Sequence, residues 1–200
     1  MEGIIVDICK RNFCNVSRKV KGFLYSEQSD HIGHLLSMYE DKETRKTPEI
    51  SDYLGFQVSS SSGKMRKELC DIVMQDGNKH YLVEVKLGGD MDVKKAQGEK
   101  RHLLELYYMM FNSCTKNDEI KILVGTVYNC CGEGNDFNQK RVLQYFNRNE
   151  LLIGTEFWSF IARSEEGGKF IWDEFVKCCP MVNTAYEKNK ERVQKELNLV

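Results

Sequence analysis

The chain has 200 residues, of which 41% are apolar and 30% charged, as expected of a soluble globular protein large enough to bury a core. No apolar run reaches the length that crosses a bilayer. A formal net charge of −1 excludes a generic basic nucleic-acid coat but leaves room for a local basic cleft. The start, Met1 to Asp7, lacks a basic segment, and acids interrupt its short apolar run. No secretory signal is expected there, and the default is a cytoplasmic chain with reduced thiols. The eight cysteines contain no Cys-x-x-Cys, so they read as small buried hydrophobes and not as a structural zinc site.

Taken in chain order, Val6, Cys9, Phe13, Val16 and Val20 fall at near-helical spacing and predict a helix over residues 4–23. Ser29 or Asp30 can cap a second helix whose buried stripe is Ile32, Leu35, Leu36 and Tyr39. His31 and His34 share a face of that helix but have no evident third metal ligand. A charged loop from Glu40 leads to Pro48. Residues 54–59 predict a short strand, and residues 59–67 a flexible basic loop. The hydroxyls of Ser61 and Ser62 and the charges of Lys64, Arg66 and Lys67 suit phosphate contacts. A solvated surface loop explains them equally well.

Residues 69–86 are the most informative stretch. Two apolar runs flank Asp76-Gly77, a strong hairpin signal. A two-residue turn there pairs Asp71 with Leu82, and a four-residue loop pairs Asp71 with Glu84. In both registers Asp71, Leu82, Glu84 and Lys86 share one face, while Ile72, Met74, Tyr81, Val83 and Val85 form an apolar opposite face. Two carboxylates that close repel unless a cation lies between them, and oxygen ligands favour Mg²⁺. Lys86 is placed to orient a water or stabilise phosphate charge. A half-exposed hairpin that merely meets water would carry the same alternation, and acid-x-Lys recurs at Glu40, Asp92 and Glu119.

A long helix is expected over residues 92–114, with Ala96, Leu103, Tyr107, Met110 and Cys114 inward. Lys94, Lys95, Lys100 and Arg101 crowd its first half, against the helix dipole, which makes them candidate polyanion contacts. Residues 120–128 predict an apolar strand, parallel to the second hairpin strand because a helix separates them. A Gly- and Asn-rich loop, residues 129–138, precedes a helix over 139–147. Helices over 155–163 and 170–179, the latter stopped by Pro180, and a polar helix over 184–198 complete the chain.

The order helix, strand, acid-bearing hairpin, helix, strand resembles the core of the PD-(D/E)XK nucleases. Asp71 matches the first acid, Glu84 the second and Lys86 the lysine, with Cys70 in place of the motif's proline. Gly98 to Tyr107, Tyr128-Asn129 and Glu150 to Phe160 are similar to segments of one group of type II restriction endonucleases. The resemblance covers about residues 68–180. It implies an α/β fold with a restriction-endonuclease-like core: a mixed central sheet flanked by helices, with additional C-terminal helices. It implies one nuclease domain over residues 1–200, with its core at about 50–130 and a helical part at about 139–198. It further implies a Mg²⁺-dependent homodimer that cuts duplex DNA at a short site and leaves 5′-phosphate and 3′-hydroxyl ends. Asp71, Glu84 and the Val85 carbonyl would hold the metal, and Glu40 or Glu49 would supply a further acid. Base contacts would come from the serine loop or from Asn135, Asn138, Gln139 and Arg141. The rival readings are a structure-specific repair or recombination nuclease and a catalytically idle DNA-binding module. A Gln-x-x-x-Tyr signature, which would favour the first rival, is absent. The intact acid-acid-lysine set argues against the second.

Overall fold

The computed structural model describes residues 2–59 and 62–197. Its elements run α1 (Glu2–Asn12), β1 (Cys14–Tyr25), α2 (Ser26–Glu40), β2 (Gly63–Asp76), β3 (Lys79–Lys86), α3 (Val93–Phe111) and β4 (Glu119–Thr126), followed by α4 (Lys140–Leu143), β5 (Leu151–Leu152), α5 (Thr155–Ala162) and α6 (Gly167–Leu197). The strands form one mixed sheet in the order β1-β2-β3-β4-β5. β1, β2 and β3 are antiparallel neighbours, and β3, β4 and β5 are parallel. Helices α2 and α3 cover one face, where Leu35, Leu36, Leu82, Leu103 and Leu104 are buried together. α1 and α5 cover the other, over Ile5, Ile72, Val83, Phe157 and Trp158. This is the expected α/β core, with the parallel β3–β4 pair joined through α3. Among the described residues, no helix is long and apolar enough to cross a membrane.

Several expectations need correction. Ser29 and Asp30 lie inside α2, whose N-cap is Tyr25, and the helix expected over residues 139–147 shortens to α4. The helix expected over residues 4–23 ends at Asn12, and the chain continues as β1. Val20, Gly22 and Leu24 are buried at a period of two, while Val16, across the register shifts, packs on the opposite face of the sheet. Lys19, Lys21 and Phe23 alternate outward between the buried positions. Gly22 lets this strand approach α3, because a Cβ there would lie 2.1 Å from the Met109 carbonyl oxygen. The strand expected at residues 54–59 does not form. Instead, Phe56 stacks on His31 with ring centroids 4.1 Å apart. The basic loop shortens, since Lys64, Arg66 and Lys67 belong to β2. Finally, the two helices expected on either side of Pro180 are one, α6, with the proline inside it. The helix is exposed there, so water can take the carbonyl that proline leaves without a donor. Residue 198 of the expected last helix lies outside the described residues.

Candidate active site

The hairpin turn is Gly77-Asn78, one residue beyond the expected place, with Gly77 at φ +60°. The register runs from Asp76↔Lys79 to Ile72↔Val83. Extended by one step it sets Asp71 opposite Glu84, which is the second of the two registers read from sequence. There the two strands part. The β1–β2 pairing shifts register between Ser17↔Val73 and Lys19↔Leu69, which leaves extra β2 residues around Asp71. From Leu69 back to Gly63, β2 pairs with β1, while Glu84, Val85 and Lys86 pair with β4. The irregularity thus opens a cleft at the end of the hairpin, where β3 lacks its antiparallel partner. Bulges of this kind re-aim side chains at the ends of strand pairs.

Three charged side chains meet in that cleft. The Asp71 carboxylate accepts a hydrogen bond from the Val85 amide at 2.8 Å and lies 3.7 Å from the Arg18 guanidinium. Glu84 is buried against Asp71, with which it shares a side-chain hydrogen bond. Burial first, and the neighbouring Asp71 second, push the Glu84 carboxyl up to about 7. The Lys86 ammonium lies 3.4 Å from Glu84 Oε2 and 2.9 Å from Glu99 Oε1. Burial alone would lower its pKa. The hydrogen bond and charge of Glu99, with the charges of Glu84 and Asp71, more than offset this and hold it above the ordinary lysine range.

Two further residues of α3 complete the cluster. Glu99 and His102 are three apart and so share a helix face. His102 Nε2 lies 2.8 Å from the Leu69 carbonyl oxygen and 3.7 Å from Glu84 Oε1. A carbonyl only accepts, so Nε2 carries the proton in that contact. Both residues stand in the stretch from Gly98 to Tyr107, but sequence reading assigned neither a role. The available signal was their i, i+3 spacing on the helix that follows Lys86.

The remaining candidates are scattered. Glu40 accepts a hydrogen bond from the Tyr145 hydroxyl and Glu49 from that of Ser51, so the acid brought to Lys86 is Glu99 and not either of these. Lys100 is no DNA contact: it is fully buried, with Nζ 2.6 and 2.7 Å from the two Glu150 carboxylate oxygens. It also lies over the rings of Tyr53 and Phe146. Lys94, Lys95 and Arg101 are exposed. Lys95 precedes Glu99 by four residues, on the cluster's face of α3. The Asp92 side chain caps α3 by accepting from the Lys95 amide, which offsets the local excess of cations. On β2, Arg66 pairs with Glu105 at 3.3 Å, and Lys67 stands directly opposite Lys21 of β1. Lys64 and Ser62 are exposed, and Ser61 lies outside the described residues. Asn138 and Gln139 both contact the Cys131 thiol, and Arg141 is exposed on α4.

The Asp71–Glu84 contact also tests the site as a metal centre. Two carboxylates pressed together with one of them held protonated near neutrality are a ready pair of oxygen ligands for a hard divalent cation. The Val85 amide points at Asp71, and a strand residue directs its amide and carbonyl to the same side, so the Val85 carbonyl faces the cleft as well. Oxygen donors alone favour Mg²⁺ over softer metals.

Among protein families, the one described as type II restriction endonuclease, HinfI, matches residues 1–183. No curated protein and no solved structure matches the chain.

Proposed function

The chain belongs to the HinfI family of type II restriction endonucleases, and from that premise we propose that Asp71, Glu84 and Lys86 are its catalytic residues, acting with Mg²⁺ on duplex DNA. The observation that carries this reading is the end of the β2–β3 ladder at Asp71, where the Asp71–Glu84 pair meets Lys86. Asp71, Glu84 and the Val85 carbonyl would hold the metal. When bound, Mg²⁺ supplies Lewis-acid chemistry, acidifying water and screening phosphate charge. The Val85 amide and Arg18 orient Asp71. Lys86 donates to the attacking water or to a phosphate oxygen and neutralises charge that develops there. Glu99 is a positioning residue, which fixes the Lys86 ammonium and keeps it protonated. In-line attack by water leaves a 5′-phosphate and a 3′-hydroxyl.

Duplex DNA reaches this cleft over basic side chains. Lys21 and Lys67 stand directly opposite one another across β1–β2, an arrangement that is unfavourable until an anion neutralises it. Lys95 on α3 adds an exposed cation on the cluster's face of that helix. A short palindromic target is matched by a two-fold protein, so the enzyme acts as a homodimer. Exposed Phe170 and Met181, three turns apart on one face of α6, support a surface of that kind. The enzyme works in the cytoplasm, where its substrate is.

The test is a digest of long unmethylated DNA with Mg²⁺ and with chelator, followed by ligation of the products. Discrete fragments that require Mg²⁺ and religate without added phosphate are expected. A smear, cleavage confined to branched DNA, or cleavage in chelator would overturn the reading.

A further inference from the structure

A second constellation lies at the opposite end of β3 from Glu84. It comprises His80 at the start of β3, Cys114 just after α3, and Asp118 just before β4. One ligand atom from each lies within 4.8 Å of the other two. His80 Nε2 is buried, makes no hydrogen bond, and sits 3.5 Å from Asp118 Oδ1. The other carboxylate oxygen of Asp118 is already committed, accepting from the Thr115 amide and hydroxyl at 2.8 Å each. That commitment turns Oδ1 toward His80. The frame beneath is tied by backbone: the Glu119 amide donates to the Asn78 carbonyl at 2.9 Å, and the Asn78 side chain donates to the Asn117 carbonyl at 2.7 Å.

We propose that His80, Cys114 and Asp118 form a binding site for Zn²⁺ or a similar borderline-soft divalent cation, separate from the catalytic centre. An imidazole nitrogen, a thiolate and a carboxylate oxygen are a zinc donor set, whereas Mg²⁺ disfavours the first two. Tetrahedral bonds of about 2.0–2.3 Å place ligand atoms roughly 3.3–3.8 Å apart. The His80–Asp118 separation already fits, and the Cys114 thiol lies within 4.8 Å of both ligand atoms. Four residues along a strand separate His80 from Glu84 by about 13 Å, so the two metals do not share ligands. The fourth position is left to water. Zinc here clips the hairpin end of β3 to the turn between α3 and β4, three segments that only the β3–α3–β4 topology brings together.

Co²⁺ is the probe. Chelator-treated full-length protein is titrated with Co²⁺ and followed by absorption, then challenged with Zn²⁺. One equivalent should produce a thiolate-to-cobalt charge-transfer band with tetrahedral ligand-field bands, and Zn²⁺ should bleach both. The oxygen-only cleft at Asp71 and Glu84 gives no thiolate band. Cys114→Ser should abolish the charge transfer, and His80→Gln should weaken binding by about tenfold or more. The double variant Cys130→Ser/Cys131→Ser should leave the band intact. Metal-free Cys114→Ser should keep the wild-type circular dichroism spectrum and a cooperative unfolding transition, which shows that it folds. A titration of folded wild type with no thiolate band would overturn the site, as would a band that survives Cys114→Ser. Loss of the band in the Cys130/Cys131 variant would move the site elsewhere and equally refute it.

Discussion

Replacing Glu84 with Gln should make the metal-free protein more stable at pH 8 while removing its activity. The Glu84 carboxyl is pushed from an ordinary 4.5 up to about 7 by burial and by Asp71. The folded state therefore keeps a proton that the unfolded chain releases at about 4.5. Where the folded state binds more protons, stability falls as pH rises. The favourable contribution is complete below about pH 4.5, declines through neutrality, and is lost above about pH 7. At 1.36 kcal/mol per pH unit, the step corresponds to about 3 kcal/mol. Glutamine fills the same space and never ionises, so this pH dependence should vanish in Glu84→Gln. The assay is urea unfolding in chelator between pH 5 and 8.5. Wild type should lose up to about 3 kcal/mol across the range relative to the variant. Added Mg²⁺ should restore wild type at pH 8, since a ligand of the folded state stabilises it, and should leave the variant unmoved. A variant less stable than wild type at pH 8 in chelator, or parallel pH profiles for the two proteins, would refute the reasoning.

Three other substitutions probe different parts of the structure. Lys100→Met leaves Glu150 buried and charged without its cation, and should destabilise the fold by about 3–5 kcal/mol in urea unfolding. The DNA affinity of the molecules that remain folded should be unchanged, because Lys100 reaches no surface. Glu99→Gln removes the group that most strongly raises the Lys86 pKa. The alkaline limb of single-turnover cleavage should then move to lower pH, with little change in DNA binding. Gly22→Ala places a methyl group against the Met109 carbonyl and should cost about 1–3 kcal/mol by thermal or urea unfolding, with no change in cleavage by the folded fraction.

The hairpin was legible because its two runs alternate between an apolar and a charged face with a period of two, and Asp-Gly punctuates them. The face carrying Asp71, Glu84 and Lys86 followed from parity alone, whichever register held. The opening of the cleft did not, since it depends on an irregularity in pairing with β1. That strand was itself hidden: Val16 and Val20, four apart, fit one helical face, whereas the register shifts between them set them on opposite faces of the sheet. Residues 54–59 have strand-like composition, but no neighbouring strand receives them, and Phe56 stacks on His31 instead. Lys100 looked like one more surface cation because a charge run conceals which member points inward. Its partner Glu150 lies 50 residues on, beyond any local pattern. Glu99 and His102 needed knowledge of which face of α3 meets the end of β3. His80, Cys114 and Asp118 show no metal-binding spacing, and only the parallel crossover draws them together.

The central claim, that the Asp71–Glu84–Lys86 cleft performs the cleavage, is tested most directly with Lys86→Ala under single-turnover conditions. Wild type and variant are compared on unmethylated plasmid with Mg²⁺, at protein concentrations that give equal DNA occupancy. Wild type should yield discrete fragments. The variant should bind the same DNA and cut at least about 100-fold more slowly, the scale of losing one preorganised charge-stabilising donor. Cleavage by the variant at the wild-type rate would place the chemistry elsewhere in the molecule.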